Sequence, residues 1–213
     1  MVPLRFQLRD GPIQEEHFAQ LTNSLISFET WNVSYDTPTL QRVCDALARI
    51  STLEDLYIGN TYFDAAKMEI LSKLFQTNRN IKSVSLPYIE DGVESLSHII
   101  STNSTLLRTL TLSYSAFTSD NVFKIIQSLR TNATVLTLSV ASANSLGKRY
   151  LDEIISILDD NTTLECVNVG YILDAIKEKL ARNALLNERR RGTLFDRLFV
   201  EHLEEPIKRQ RLQ

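Results

Sequence analysis

A six-residue pattern, apolar-x-x-apolar-x-apolar, recurs along the whole chain and constrains its fold more than any other feature. Five clear copies are Leu53-Glu-Asp-Leu56-Tyr-Ile58, Ile81-Lys-Ser-Val84-Ser-Leu86, Leu107-Arg-Thr-Leu110-Thr-Leu112, Val135-Leu-Thr-Leu138-Ser-Val140 and Leu164-Glu-Cys-Val167-Asn-Val169. A diverged copy reads Phe28-Glu-Thr-Trp31-Asn-Val33, and a terminal one reads Pro3-Leu-Arg-Phe6-Gln-Leu8, where an edge strand tolerates proline. The starts at 28, 53, 81, 107, 135 and 164 lie 25, 28, 26, 28 and 29 residues apart.

Between the copies, apolar residues fall at helical spacing: Ala66, Ile70, Leu71, Leu74 and Phe75, then Val93, Leu96, Ile99 and Ile100. The same spacing returns at Val122, Ile125, Ile126 and Leu129, and at Leu151, Ile154, Ile155 and Leu158. One short strand and one helix per period cannot bury both apolar faces, whereas stacked units share a continuous core. The expected fold is therefore α/β: a solenoid with an inner parallel sheet of six or seven short strands and an outer layer of helices. Asn78, Asn103, Asn132 and Asn161 each close a helix, and the tolerance of Asn for the left-handed conformation accounts for that recurrence. The Asn-x-Ser/Thr triplets at Asn32, Asn103, Asn132 and Asn161 are then coincidental to the repeat rather than glycosylation acceptors.

Strand-helix units of this length and pattern resemble the ribonuclease-inhibitor class of leucine-rich repeats over residues 1–187. The last repeat resembles the C-terminal domain of tropomodulins and leiomodins. The matching residues are Leu146-Gly147, Leu158-Asp-Asp-Asn161-Thr-Thr-Leu164 and Val169-Gly-Tyr171, followed by a helix ending near Asn183 and the basic run Arg189-Arg190-Arg191. Tropomodulins cap actin filaments, so the resemblance implies actin or another cytoskeletal protein as a partner. The turn after Tyr171 departs from that family by lacking its Gly-Pro-Arg stretch, and the upstream tropomyosin- and actin-binding segments are missing, which puts capping in doubt. A short repeat domain of this kind equally suits an adaptor, an immune-type sensor fragment or a secreted bacterial effector acting inside a host.

Residues 188–213 break the repeat. Leu194, Phe195, Leu198, Phe199 and Leu203 line one side of an expected helix from about Thr193 to Glu205, ended by Pro206. It either caps the open end of the solenoid or docks into a partner. The basic clusters around it, Arg189–Arg191 and Lys208, Arg209 and Arg211, are interleaved with carboxylates and read as solvated surface.

The function class is a non-catalytic scaffold or adaptor for a protein partner, with a tropomodulin-like actin- or cytoskeleton-binding module as the alternative. The three histidines lack metal-ligand spacing, and neither a nucleophile elbow nor a phosphate loop occurs among the six glycines. No cofactor, metal or catalytic residue is expected; Cys166 reads as a small buried-type cysteine rather than a nucleophile. A net charge of −3 argues against nucleic acid. Two distant cysteines, no signal-peptide pattern and no membrane-spanning run point to a cytoplasmic protein; a monomer is the expected state.

Two surfaces are candidates for the partner. Residues between the apolar positions should face outward from the sheet: Arg5, Gln7 and Arg9; Thr30, Asn32 and Ser34; Asp55, Tyr57 and Gly59; Ser83, Ser85 and Pro87; Thr109, Thr111 and Ser113; Thr137, Ser139 and Ala141; Cys166, Asn168 and Gly170. Of these, Asp55, Tyr57, Ser85, Thr111, Ser139 and Asn168 are the concave-face candidates. The second surface is a tyrosine row just past the strands, Tyr35, Tyr88, Tyr114 and Tyr171, serving either as a binding rim or as rings that seal the turns.

Overall fold

The computed structural model describes residues 4–102, 106–113, 115, 117–140, 148–169 and 174–191. It is a leucine-rich-repeat-like solenoid in which strands and helices alternate once per repeat. Strands β1 (Leu4–Arg9), β2 (Leu25–Trp31), β3 (Asp55–Ile58), β4 (Ser83–Pro87), β5 (Thr109–Ser113), β6 (Thr137–Val140) and β7 (Cys166–Asn168) form one parallel sheet in chain order. A short α1 (Glu15–Phe18) is followed by α2 (Thr37–Leu47), α3 (Ala65–Thr77), α4 (Val93–Ser101), α5 (Ser119–Ser128), α6 (Lys148–Asp160) and α7 (Asp174–Arg191). The core is one continuous cluster running from Phe6 to Leu180. The helix expected to end near Asn183 runs on to Arg191, so a boundary at 187/188 falls inside α7. The helix expected at Thr193–Glu205 lies outside the described residues.

Strand pairing corrects the repeat register in one place. Phe28 is opposite Leu56 and Thr30 opposite Ile58, so the β2 copy is Leu25-x-x-Phe28-x-Thr30 and starts three residues earlier than its hydrophobicity indicates. Leu25, Phe28 and Thr30 are all buried. Thr30 fills the third apolar slot, and its buried hydroxyl has no hydrogen-bond partner. Trp31 moves to the solvent side of the sheet, opposite Arg9. Two residues past the third slot, Asp10, Asn32, Asn60 and Tyr88 take φ of 63°, 53°, 56° and 61°. Short polar side chains visit this left-handed turn easily; Tyr88 does so against its own preference.

The helix-ending asparagines work by side-chain hydrogen bonding and not by a left-handed backbone. Asn78 is extended at φ −96°, and Asn132 and Asn161 are not among the positive-φ residues. The Asn161 amide donates to the carbonyls of Leu129 at 2.6 Å and Asn132 at 3.0 Å, while its Oδ1 accepts from Thr163 and Leu164 N–H. Asn78 donates to Leu47 and Ile50, Asn132 to Ile100, and Asn183 to Asn161 and Leu164. Asn78, Asn132 and Asn161 thus tie their repeats to carbonyls at or just past the preceding helix end, most of which also accept a backbone N–H, and Asn183, inside α7, reaches back to the segment after α6. Buried in this way, Asn132 and Asn161 are closed to glycosylation. Asn103 lies outside the described residues.

Helix starts carry a second recurring device. Asp36, Asp64 and Thr118 cap α2, α3 and α5, accepting from Thr39, Lys67 and Asn121 N–H. Before each cap stands a buried aromatic residue, Tyr35, Phe63 or Phe117, and four residues after it a buried apolar one, Leu40, Met68 or Val122. This is the spacing of a hydrophobic staple.

Burial within this layer has a consequence for pH. It pushes the Tyr35 phenol up to about 12 and the Cys44 thiol up to about 12. Both groups release their protons more readily in the unfolded chain, from 9.0 for Cys44 and 10.0 for Tyr35. Their stabilising effect is complete below pH 9 and is lost as pH rises toward 12. Urea midpoints should fall across that window, and the slope should flatten in Tyr35→Phe and Cys44→Ala.

Candidate functional site

The solvent-facing side of the sheet is set by the alternation of each strand. One row of side chains, in register, runs Gln7, Glu29, Tyr57, Ser85, Thr111, Ser139, Asn168. The parallel row runs Arg5, Ser27, Asp55, Ser83, Thr109, Thr137, Cys166. Asp55, Tyr57, Ser85, Thr111, Ser139 and Asn168 therefore share this face, none of them buried. Thr30 does not share it, being turned into the core, and its place belongs to Glu29 and Trp31. Cys166, expected to be a buried type, is exposed on β7, while Cys44 is buried; the place of Cys166 in the solvent-facing row, in register with Thr137, turns it away from the core.

The two halves of the face differ in chemistry. From β4 onward it carries Ser, Thr and Asn. Across β1–β3 it carries an aromatic stack: the Trp31 and Tyr57 rings lie 4.1 Å apart with 29° between planes, and the Arg9 guanidinium sits 6.0 Å from the Trp31 centroid. Trp31 is 39% exposed although it is a large apolar residue. Trp31 followed by Val33 mimics core spacing, so periodicity alone hid this residue; the signal available was the alternation Ser27, Glu29, Trp31 running back from it.

Gly59 makes the stack. A Cβ there would lie 2.8 Å from Tyr57 Cε1, 2.9 Å from its hydroxyl and 2.8 Å from the Thr30 carbonyl, which accepts the Gly59 N–H. The Tyr57 ring thus lies across bare backbone to reach Trp31 on the next strand. Gly59→Ala should force the ring off Trp31 and cost about 1–3 kcal/mol. The emission of Trp31, the sole tryptophan, reads the displacement, and urea unfolding reads the loss.

Charge around the stack is mixed. Both Glu29 oxygens accept from neutral donors, Gln7 and Ser27, at 2.9 Å. Glu54 is paired with Lys82 at 2.6 Å. Burial first, then the neighbouring Glu54, pushes the Asp55 carboxyl up; Arg5 opposes the shift, Glu29 adds to it and Lys82 opposes it. A depression of about 310 Å³ opens here, lined by Arg5, Glu29, Trp31, Asp55, Tyr57 and Ser85.

The tyrosine row resolves differently. Tyr35 is 1% exposed and belongs to the buried aromatic positions before the helix caps, because the three-residue register shift removes its equivalence to Tyr88. Tyr88 is half-buried and its ring lies 5.2 Å from that of Tyr62, which is 54% exposed. Tyr114 and Tyr171 lie outside the described residues. Among the described residues no group of three or more His, Cys, Asp or Glu could hold a metal, and no helix is long and apolar enough to cross a membrane.

No family model matches the chain, and no curated protein matches it in sequence. Among solved structures it is similar to the tropomodulin C-terminal domain of Caenorhabditis elegans, with a TM-score of 0.60 and 16% identity over 75% of this chain and 100% of that one. A structure described as leiomodin-1 actin-binding site 2 matches with a TM-score of 0.42 and 19% identity, over 75% of this chain and 83% of that one. The tropomodulin likeness shows a shared fold.

Proposed function

We propose that the chain is a non-catalytic protein-binding module that engages its partner through the β1–β3 end of the concave sheet. The observation that carries this reading is the Trp31–Tyr57–Arg9 stack on a solvent-facing sheet surface. Aromatic and arginine side chains dominate binding hot spots, and a stacked pair loses little freedom when covered. The Ser- and Thr-lined remainder is accounted for by cross-strand pairing.

The test is capture from lysate by folded wild type, Trp31→Ala and Tyr62→Ala. The module reading predicts proteins retained by wild type and Tyr62→Ala and lost from Trp31→Ala. Equal recovery by Trp31→Ala removes the concave face as the site. A second reading takes actin as the partner, and what supports it is the likeness to a tropomodulin domain. It predicts that the wild-type protein pellets with actin filaments and that Trp31→Ala does not. Failure to pellet discards actin and leaves the module.

A further inference from the structure

We propose that the depression beside Asp55 receives a basic side chain, an arginine or lysine presented by a partner polypeptide. This rests on the protein-binding reading and adds the chemistry of the contact. The lining holds two carboxylates, Glu29 and Asp55, against one guanidinium, Arg5. Among the described residues neither carboxylate is ion-paired: Glu29 accepts from Gln7 and Ser27, and the Asp55 carboxylate, though within the fields of Arg5 and Lys82, accepts no hydrogen bond and joins no salt bridge. The adjacent Glu54 is already neutralised by Lys82, so it offers nothing further to a ligand. An Asp on the open side of a sheet, partly desolvated and beside two other carboxylates, is poised for a cation.

The walls suit the body of such a side chain. Trp31 and Tyr57, stacked on one another with Trp31 39% exposed, supply an aromatic wall against which the aliphatic stem packs. Arg9 already lies over the Trp31 ring from its own strand. At about 310 Å³ and open to solvent, the depression accepts one long side chain rather than a folded element. A net charge of −3 favours approach of a basic partner. An acidic partner would meet Glu29 and Asp55 inside the depression, where Arg5 is the one cation in the lining and Arg9 stands outside it against Trp31.

Trp31 is the sole tryptophan, so its emission reports this site directly. The probe is a glycine-serine nonapeptide with one central arginine, compared with the same peptide carrying lysine, glutamate or serine. The expected result is a saturable change in emission with the arginine and lysine peptides only. Affinity should be weaker by about tenfold or more in Asp55→Asn, which keeps the shape and removes the charge. No saturable response to either basic peptide overturns the proposal, as does an unchanged response in Asp55→Asn or a response to the glutamate peptide. The two readings fail separately. Partners lost in Trp31→Ala but retained in Asp55→Asn would refute the basic contact and leave the module standing. A basic-peptide response without any Trp31-dependent partner would refute the module.

Discussion

Replacing Asn161 by Ala should lower the free energy of unfolding by about 3–5 kcal/mol. The side chain is 2% exposed and closes four hydrogen bonds: two donated to the Leu129 and Asn132 carbonyls, two accepted from the Thr163 and Leu164 amides. Removal takes the side-chain partner from three backbone groups in a buried seam, the Asn132 carbonyl and the Thr163 and Leu164 amides, while the Leu129 carbonyl keeps the Asn132 N–H; an orphaned buried group costs about 1–3 kcal/mol, reduced where water enters. Because repeats hold one another only through nearest neighbours, the loss falls on the junction between the α5 and α6 repeats. The last two repeats should then unfold at lower urea than the rest, broadening the transition. Asn161→Asp keeps the acceptor and loses the donor, so its effect should be intermediate. A fall below about 1 kcal/mol in Asn161→Ala would mean that the asparagine seam does not hold the stack together.

Tyr35→Ser should be nearly as damaging, at about 3–5 kcal/mol, because it empties an aromatic-sized volume in the layer between β2 and α2. Tyr35→Phe should stay within about 1 kcal/mol of wild type or exceed it, since the phenol hydroxyl is buried without a hydrogen-bond partner. Chemical denaturation of the two variants separates the meanings of this tyrosine. If Tyr35→Ser leaves stability unchanged, the ring is not part of the core. By contrast Tyr62, on the rim and 54% exposed, should tolerate Ala.

Those two residues also show how much of the fold was legible. The period of the repeat, the strand-helix alternation and the helix stripes follow from apolar spacing, because burial selects for it directly. Asparagine was visible as a repeating helix end, but its mechanism was not: the carbonyls it serves lie about thirty positions away, as in Asn161 with Leu129. Hydrophobicity misplaces the β2 register because Thr30, a polar residue, fills an apolar slot while Trp31, an apolar one, faces solvent. Hydrophobicity alone shifts the copy by three residues, and the shift carries Tyr35 into a false equivalence with Tyr88.

The candidate site inherits that error. Asp55, Tyr57 and Ser85 can be placed on the concave face by alternation, whereas the contact that gives the face its character joins Trp31 to Tyr57 across two strands. Gly59, which permits the contact, has the same letter as any turn glycine. Its effect emerges only when Tyr57 is seen lying over it.

The most direct test of the account is photo-crosslinking from single positions on opposite sides of the solenoid. A benzophenone side chain at Ser85, beside the stack, should give a discrete adduct in lysate that disappears when Trp31→Ala is added. The same group at Gln127, on the outer helix α5, should give none. Adducts from Gln127 with none from Ser85 would place the partner on the helical side and contradict the concave-face account.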